Sequence, residues 1–263
     1  MIKDITIGQY VPGDSFIHKL DPRTKILISI LFIIQIFLVK SFVGYIFVVL
    51  FIGATMYIAK LSPKYLFKGL KAIIVLVVIT AVLNVFMIKG ETLIFKWGFL
   101  EIYKEGLRTA TFMILRLIFL ISGTTILTLT TSPIELTDGI ERLLNPFKKI
   151  GLPAHELAMM MTIALRFIPT LMDETDKIMK AQMARGADFE SGGLVQKAKS
   201  LIPLLVPLFI SSFRRADELA NAMEARCYRG GEGRTRMKVL KMEKRDVAAF
   251  MVFFLLAAAS III

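Results

Sequence analysis

An all-α polytopic membrane protein is the fold class this sequence predicts, with about five transmembrane helices and a cytoplasmic helical part inserted before the last of them. Three observations predict it. The 263 residues are 56% hydrophobic with a mean hydropathy of +0.67. Several apolar runs are too long to be strands or soluble core helices. The apolar signal then stops for more than a hundred residues and returns once, at the C-terminus.

The first 25 residues contain Asp4, Asp14 and Asp21 and no apolar core. No cleavable signal peptide is therefore expected, and residues 1–25 form a cytoplasmic N-terminal segment. Residues 26–131 carry four apolar runs. Ile26 to Val39, between Lys25 and Lys40, has fourteen residues, about 21 Å of helix against a bilayer core of about 30 Å. It needs lysine snorkelling, local thinning or a tilted partner. Phe42 to Ala59, eighteen residues, is long enough to span and forms a tight hairpin with the first run, with Lys40 and Ser41 at its tip. Ala72 to Ile88 is interrupted only by Thr80 and Asn84; Gly106 to Thr130 carries Arg108, Arg116 and a Thr-rich second half. Residues 132–246 are the cytoplasmic part, and 247–263 the last span.

Orientation follows from the basic residues. Lys60, Lys64, Lys68 and Lys71 follow the second run with no acid among them, and the segment from Ser132 to Asp246 holds nineteen of the thirty-three Lys and Arg residues. Those sides face inward. The Lys40 tip and the loop from Gly90 to Glu105 face outward, so the N-terminus is expected inside. The net charge of +12 is read as inside-facing loops attracted to anionic lipid, not as a nucleic-acid surface. A lone cysteine, Cys227, excludes a disulfide within the chain and any CxxC metal site.

Arg116 lies in the middle of the fourth run, where a charge costs about 2.5–3.5 kcal/mol on insertion scales. It must face protein or water. One reading is a binding or permeation site; the plainer and favoured one is an intramembrane structural arginine bonded to polar groups of neighbouring helices, with Asn84, Thr124 and Thr125 as candidates.

The long inside segment carries the most information. Ser132-Pro133 starts a helix with Glu135 in its first turn, ended by Pro146; Pro153 opens another, which stops at Pro169. His155-Glu156 begins a zinc HExxH pattern, but Met159 stands where the second histidine would be. Met159, Met160 and Met161 are apolar all round, which predicts burial against the membrane part or its surface, and methionines also repack against a moving partner.

From Thr170 the pattern becomes amphipathic. Leu171, Met172, Ile178, Met179 and Met183 share one stripe, with Asp173, Asp176, Lys177 and Lys180 on the other side. Arg185 borders the stripe, and Gly186 ends the helix in a left-handed turn. The arrangement recurs after Pro203 and Pro207: from Leu208 a helix carries Ala216, Leu219, Ala220, Met223 and Cys227 on one stripe, with Arg226 at its border, and glycines 230, 231 and 233 end it. Ala, two residues, Ala, Arg, small residue therefore occurs twice, as Ala181 to Gly186 and as Ala222 to Cys227. A terminal Arg beside a stripe of small side chains suits docking into a socket of carboxylates or carbonyls. Two matching plugs predict two similar sockets; the plainer alternative is an ordinary bundle with arginines snorkelling to solvent. No GxxxxGK[ST] loop, metal cluster or nucleophile triad is visible in the sequence. Energy must come from a partner.

The stretches HKLDPRTKIL, TTSPIELTDGIERLLNPFKKIGLP and ALRFIPTLMDE, with the two arginine motifs, resemble the transmembrane T subunits of energy-coupling factor transporters, the vitamin-uptake branch of the ABC transporters, over essentially the whole length. The resemblance implies a coupling domain over residues 132–246 whose Ala184-Arg185-Gly186 and Ala225-Arg226-Cys227 dock on two ABC-type ATPase subunits, A and A′. Cys227 departs from the usual glycine, which leaves the second helix ending open between Cys227 and Gly230-Gly231. It further implies a separate membrane-embedded substrate-binding S component, for which Met159, Met160 and Met161 are candidate contacts, to it or to the membrane interface; no cofactor on this chain, with ATP and Mg on the partner ATPases; no enzymatic activity; and residence in a prokaryotic cell membrane. A conventional ABC permease and a self-contained carrier are the competing readings. A permease would carry one coupling segment per subunit, and a carrier an inverted repeat of broken helices that the sequence does not display.

Overall fold

A computed structural model of the chain describes residues 10–97, 100–189, 193–231 and 240–262. Asp4 and Gly233 lie outside the described residues. The described chain is almost entirely helical and divides into two compact units, one comprising 8–140 with 239–263, the other 141–238 with 1–7.

The first unit is built from α1 (Pro22–Leu38), α2 (Phe42–Ala59), α3 (Pro63–Met87), α4 (Lys104–Thr130) and α9 (Lys244–Ile262). Of these, α2, α4 and α9 are long and apolar enough to cross a membrane, and α3 makes a fourth if its parts Pro63–Lys71 and Ile73–Met87, bent by 61°, count as one span. Of the five expected spans, α1 is the short one, one residue under the eighteen of α2. Its 17 residues make about 26 Å, longer than its apolar run because Asp21 caps it and Pro22 opens it. Lys60 to Lys71, expected as a link, is largely the first arm of the bent α3. The loop from Gly90 to Glu105 contains a small antiparallel hairpin, β1 (Leu93–Trp97) with β2 (Leu100–Tyr103), with a bulge between Leu93 and Phe95.

Apolar packing at the centre joins Phe32 and Ile36 of α1, Tyr45, Val48 and Ile52 of α2, Phe119 and Ile126 of α4, and Phe253 and Ala257 of α9. Helix pairs inside lipid gain little from the hydrophobic effect, so close approach and internal polar bonds matter more. Gly44 supplies the approach: a Cβ there would meet the Ser260 carbonyl of α9 at 2.5 Å. Gln35 supplies the bond, its Nε2 donating to Ser260 Oγ at 2.8 Å, with both residues buried.

At the start of α1 a polar clasp gathers three chain segments. Asp21 caps the helix by accepting from the Arg23 amide (2.9 Å), and its Oδ2 accepts from the Arg23 guanidinium (2.8 Å). Its own amide donates to Asp246 Oδ1 (2.8 Å), while Asp246 Oδ2 accepts the Glu243 amide (2.8 Å) at the start of α9. That second bond is the reach-back of a capping box. Lys25, expected to snorkel, is instead 6% exposed; its ammonium donates to His18 O (3.0 Å) and to Thr130 O at the end of α4 (2.9 Å). His18 bridges Ser15 Oγ (2.7 Å) and Val11 O (3.0 Å), and burial holds its pKa below the ordinary imidazole value. Because a carbonyl only accepts, Nε2 carries the proton and Nδ1 takes the serine hydroxyl.

Asp246→Ala leaves the buried Asp21 amide without an acceptor, worth about 1–3 kcal/mol, and removes the reach-back bond to the Glu243 amide at the start of α9. The expected outcome is a clearly lowered unfolding midpoint of the detergent-solubilised chain. Asp246→Asn, which keeps one carbonyl acceptor, should fall between, and Asp173→Ala, on an exposed position, should leave the midpoint unchanged.

Candidate docking site at two arginine-tipped helices

The second unit carries the candidate site on α6 (Ala154–Ala184) and α8 (Ile202–Ala225), with α7 (Leu194–Ser200) between them. It is entered from α5 (Pro133–Leu144), where the Ser132 hydroxyl accepts the Glu135 amide, through a 3-10 turn over Asn145–Ile150 that closes at Gly151. The prolines do not break the long helices as expected. α6 runs through Pro169, and α8 starts at Ile202 and runs through Pro207. Each internal proline removes one amide and orphans the carbonyl four residues back. For Pro207 that carbonyl belongs to Pro203, and Gln182 Nε2 of α6 donates to it at 3.4 Å.

α6 and α8 run antiparallel. Going up one helix and down the other, Gln182 meets Pro203, Glu174 meets Ser211 and Arg215, and His155 meets Tyr228 just beyond α8. The Ser211 hydroxyl donates to Glu174 Oε1, and Arg215 donates to Oε2 at 2.7 Å. The serine first, and then the guanidinium, hold the Glu174 carboxyl below the usual carboxylate range, so the contact is an ion pair at neutral pH. His155, which lacks the second histidine of a zinc motif, donates from Nδ1 to Glu141 Oε1 at 2.9 Å and meets the Tyr228 hydroxyl with Nε2 at 3.4 Å. An open cleft of about 260 Å³ lies between Ile163, Phe167 and Leu171 of α6 and Ala216, Leu219 and Met223 of α8. The small-residue stripe of the second motif helix therefore lines a cleft shared with α6.

Both arginine motifs end their helices in one geometry. After α6, Arg185 is the C-cap, Gly186 takes φ +88°, its amide donates to Met183 O (2.9 Å), and the Ala187 amide donates to Gln182 O (3.0 Å). After α8, Arg226 is the C-cap, Cys227 takes φ +55°, its amide donates to Glu224 O (2.8 Å), and the Tyr228 amide donates to Met223 O (3.0 Å). These are matching Schellman endings. The second helix stops at Cys227 itself, one turn before the glycines at 230 and 231. A non-glycine residue in the left-handed region costs roughly 1–2 kcal/mol.

Ala184, Arg185, Gly186, Ala225, Arg226 and Cys227 are all exposed, and among the described residues neither guanidinium has a hydrogen-bond or ion-pair partner. Because the helices are antiparallel, the two motifs stand at opposite ends of the pair. α8 has 24 residues, which puts those ends about 36 Å apart along its axis.

Met160 and Met161 are 54% and 46% exposed, and Met159 is partly so. A larger apolar surface escaped the sequence reading: Ile202, Leu205, Val206, Phe209, Ile210 and Phe213 of the first half of α8 are all exposed. From Leu201 to Ile210 every position is apolar or proline, without the 3.6-residue alternation, and that run is the available signal. Arg116, in the other unit, does not use the polar partners expected for it. Asn84 donates to Thr80 O (2.7 Å) and Thr124 to Leu120 O (3.0 Å), each on its own helix, while the Arg116 guanidinium lies 4.9 Å from the centre of the Phe37 ring.

A polytopic helical membrane protein with a rigid pair of arginine-tipped helices is the class these features define. A family model described as cobalt transport protein (CbiQ) matches residues 13–237. The chain is 69% identical over 263 residues to the energy-coupling factor transporter transmembrane protein EcfT of Clostridium kluyveri, covering 100% of this chain and 97% of that one. Identity is 64% over 260 residues to the protein of that name from Thermosediminibacter oceani (99% and 98% covered), and 51% over 258 residues to that from Bacillus subtilis (98% and 97%). The chain belongs to this family of energy-coupling factor transporter membrane components.

Replacing Gly186 by Ala should destabilise the α6 ending by about 1–2 kcal/mol, and Cys227→Gly should stabilise the α8 ending by a similar amount. Amide exchange over the last turn of each helix is the measurement: faster in the first variant, slower in the second.

Proposed function

We propose that this chain couples two ABC-type ATPase subunits, A and A′, to a separate membrane-embedded substrate-binding S component, so that ATP-driven motion of the ATPases releases a vitamin or other micronutrient inward. The observation that carries this reading is the pair of identical helix endings, exposed, unpaired among the described residues and held about 36 Å apart. One chain thereby presents one plug to each of two sockets. ATP and Mg reside on the ATPases, this chain binds no cofactor and catalyses no reaction, and the cargo is selected by the S component.

In this reading Arg185 and Arg226 donate their planar forks to carboxylates or carbonyls in the sockets. ATP-driven closure displaces the two ends, and because α6 and α8 are pinned by Glu174, Ser211 and Arg215, the ends move only by re-angling the pair. That motion carries Met159, Met160, Met161 and the exposed face of α8 around Phe209 and Phe213 against the S component. Apolar, flexible side chains can repack there without breaking hydrogen bonds. The ring-closed prolines at 169 and 207 remove one backbone bond each, which lowers the cost of bending at those points.

Truncating one partner of a buried charge-assisted pair costs roughly 2–5 kcal/mol. Arg185→Ala and Arg226→Ala should each impair uptake of a labelled vitamin, and the double variant should lose the ATPases on co-purification. Lysine should rescue poorly, while Lys177→Ala and Lys180→Ala, exposed on α6, should change little. Full assembly and uptake by the double variant would sink the proposal. Orientation has its own test. With the N-terminus inside a cell membrane and residues 132–246 cytoplasmic, Ser41→Cys in a Cys227→Gly background should react with an impermeant thiol reagent in intact cells; protection of Ser41→Cys alongside labelling of Gly231→Cys would invert the topology.

A further inference from the structure

The two arginines of α4 are not used by the coupling reading, and their surroundings point to a ligand. Arg116 stacks on Phe37, the next-to-last residue of α1, and Arg108 lies 5.6 Å over the Phe112 ring, which in turn packs 4.4 Å from Phe42 at the start of α2. Both arginines therefore sit at the α1–α2 hairpin end of the unit. The Arg116 guanidinium and the Tyr45 hydroxyl face each other in a buried spot, Tyr45 being 3% exposed, so the charge of Arg116 is met there only by a neutral hydroxyl and the Phe37 ring. Among the described residues no carboxylate lies in ion-pair range of either guanidinium.

The length of α1 explains what can reach them. Its entry is fixed by the clasp of Asp21, Arg23 and Asp246, charged groups that belong at a membrane surface. Phe37 lies fifteen residues beyond Pro22, about 22 Å along the axis, so its ring falls about 8 Å short of the far side of a 30 Å hydrocarbon core. A short segment is accommodated by thinning of the bilayer around it. Phe37, Leu38, Phe42 and Val43 are each about half exposed there, leaving a lipid-facing notch whose floor is Arg116. Arg108 stands eight residues nearer the start of α4, about 12 Å higher and about 80° round the helix. Ring stacking occupies the guanidinium face and leaves its N–H edge for an acceptor. At a hydrocarbon boundary thinned to this depth, the anion always at hand is the phosphate of the surrounding phospholipid.

We propose that the notch over the α1–α2 hairpin is a phospholipid site, in which Arg116 binds the headgroup phosphate from below, Arg108 binds it from the rim, and the acyl chains lie along the exposed side of Phe37 and Phe42. The shared chemistry is a phosphate monoanion; the commitment is to the lipid and not to free phosphate.

The test is native mass spectrometry on the delipidated full chain in neutral detergent, titrated with phosphatidylglycerol, with diacylglycerol of the same chains, and with inorganic phosphate as competitor. The wild type should hold one more tightly bound phosphatidylglycerol than Arg116→Gln, whose affinity for that lipid falls at least tenfold; Arg108→Gln should weaken it about threefold. Arg116→Lys, which keeps the charge and guards against a misfolded glutamine variant, should retain most of it. Diacylglycerol should not be retained, and millimolar phosphate should not displace the lipid. Equal retention of diacylglycerol would reveal a tail pocket only, displacement by inorganic phosphate a free-anion site, and unchanged lipid with lost co-purification of other transporter components in Arg116→Gln a carboxylate on a protein partner. Each of those results overturns the proposal.

Discussion

The register between α6 and α8 is the constraint on which the candidate site depends, and its two-point bond is made at one carboxylate. Glu174 accepts from Ser211 and from Arg215, two residues four apart on α8 and therefore on one face, so a single side chain fixes both height and rotation. Sliding α8 by one turn would move its end by about 5.4 Å and break both bonds at once. Because the helices are antiparallel, such a slip would also change the distance between Arg185 and Arg226 directly. Apolar contact around Leu171 and Leu219 tolerates small shifts in a way that a two-point polar bond does not. The spacing of the two motifs is thus held by a polar bond in a region whose packing is otherwise open.

The membrane unit is organised differently because its solvent offers no hydrogen bonds. Polar groups there either find a partner within the unit or sit at its ends. Gln35 with Ser260 is the interior case, and the hydroxyls of Thr80, Ser122 and Thr130 donate back to carbonyls of their own helices. The clasp at the start of α1 is the end case: Lys25 occupies the carbonyls of His18 and Thr130, groups that the ends of a turn and of α4 leave unbonded. One buried ammonium thereby ties the N-terminal segment, α1 and α4 together. Arg116 differs from all of these in having an aromatic face where a carbonyl or carboxylate would stand.

Much of this was legible in the sequence, and the failures have physical causes. Apolar runs revealed a polytopic helical protein because lipid imposes length and composition on a spanning helix. They did not reveal where α1 begins, since Asp21, Pro22 and Arg23 are a capping signal embedded in charge, and Lys25 looked like an interfacial lysine. Pro169 and Pro207 were read as helix ends by a local rule that tertiary contact overrides; Gln182 satisfies one of the orphaned carbonyls from the facing helix, which no single-helix pattern can show. The duplicated Ala-Arg spacing did locate two matching helix ends. A stripe of small residues marks close approach without naming the neighbour, and part of the α8 stripe lines a cleft against α6. The apolar half of α8 was passed over because it has no period to detect.

The two endings also show what the shared geometry requires. Gly186 adopts its positive φ at no steric cost and, among the described residues, a Cβ there would meet nothing within 4 Å. Cys227 adopts the same region against its preference, and such strain persists only where neighbours determine the conformation. The neighbour is identifiable: Tyr228, which closes the Schellman ring through its amide, has its hydroxyl on His155, and His155 is held in turn by Glu141. The second ending is therefore anchored from α5 and α6, whereas the first has glycine at the left-handed position. Two different supports converge on one arrangement, an exposed arginine at the C-cap with the chain turning sharply away behind it. Convergence of that kind indicates that the arginine's position, and not the residue that makes the turn, is the feature both helix ends preserve.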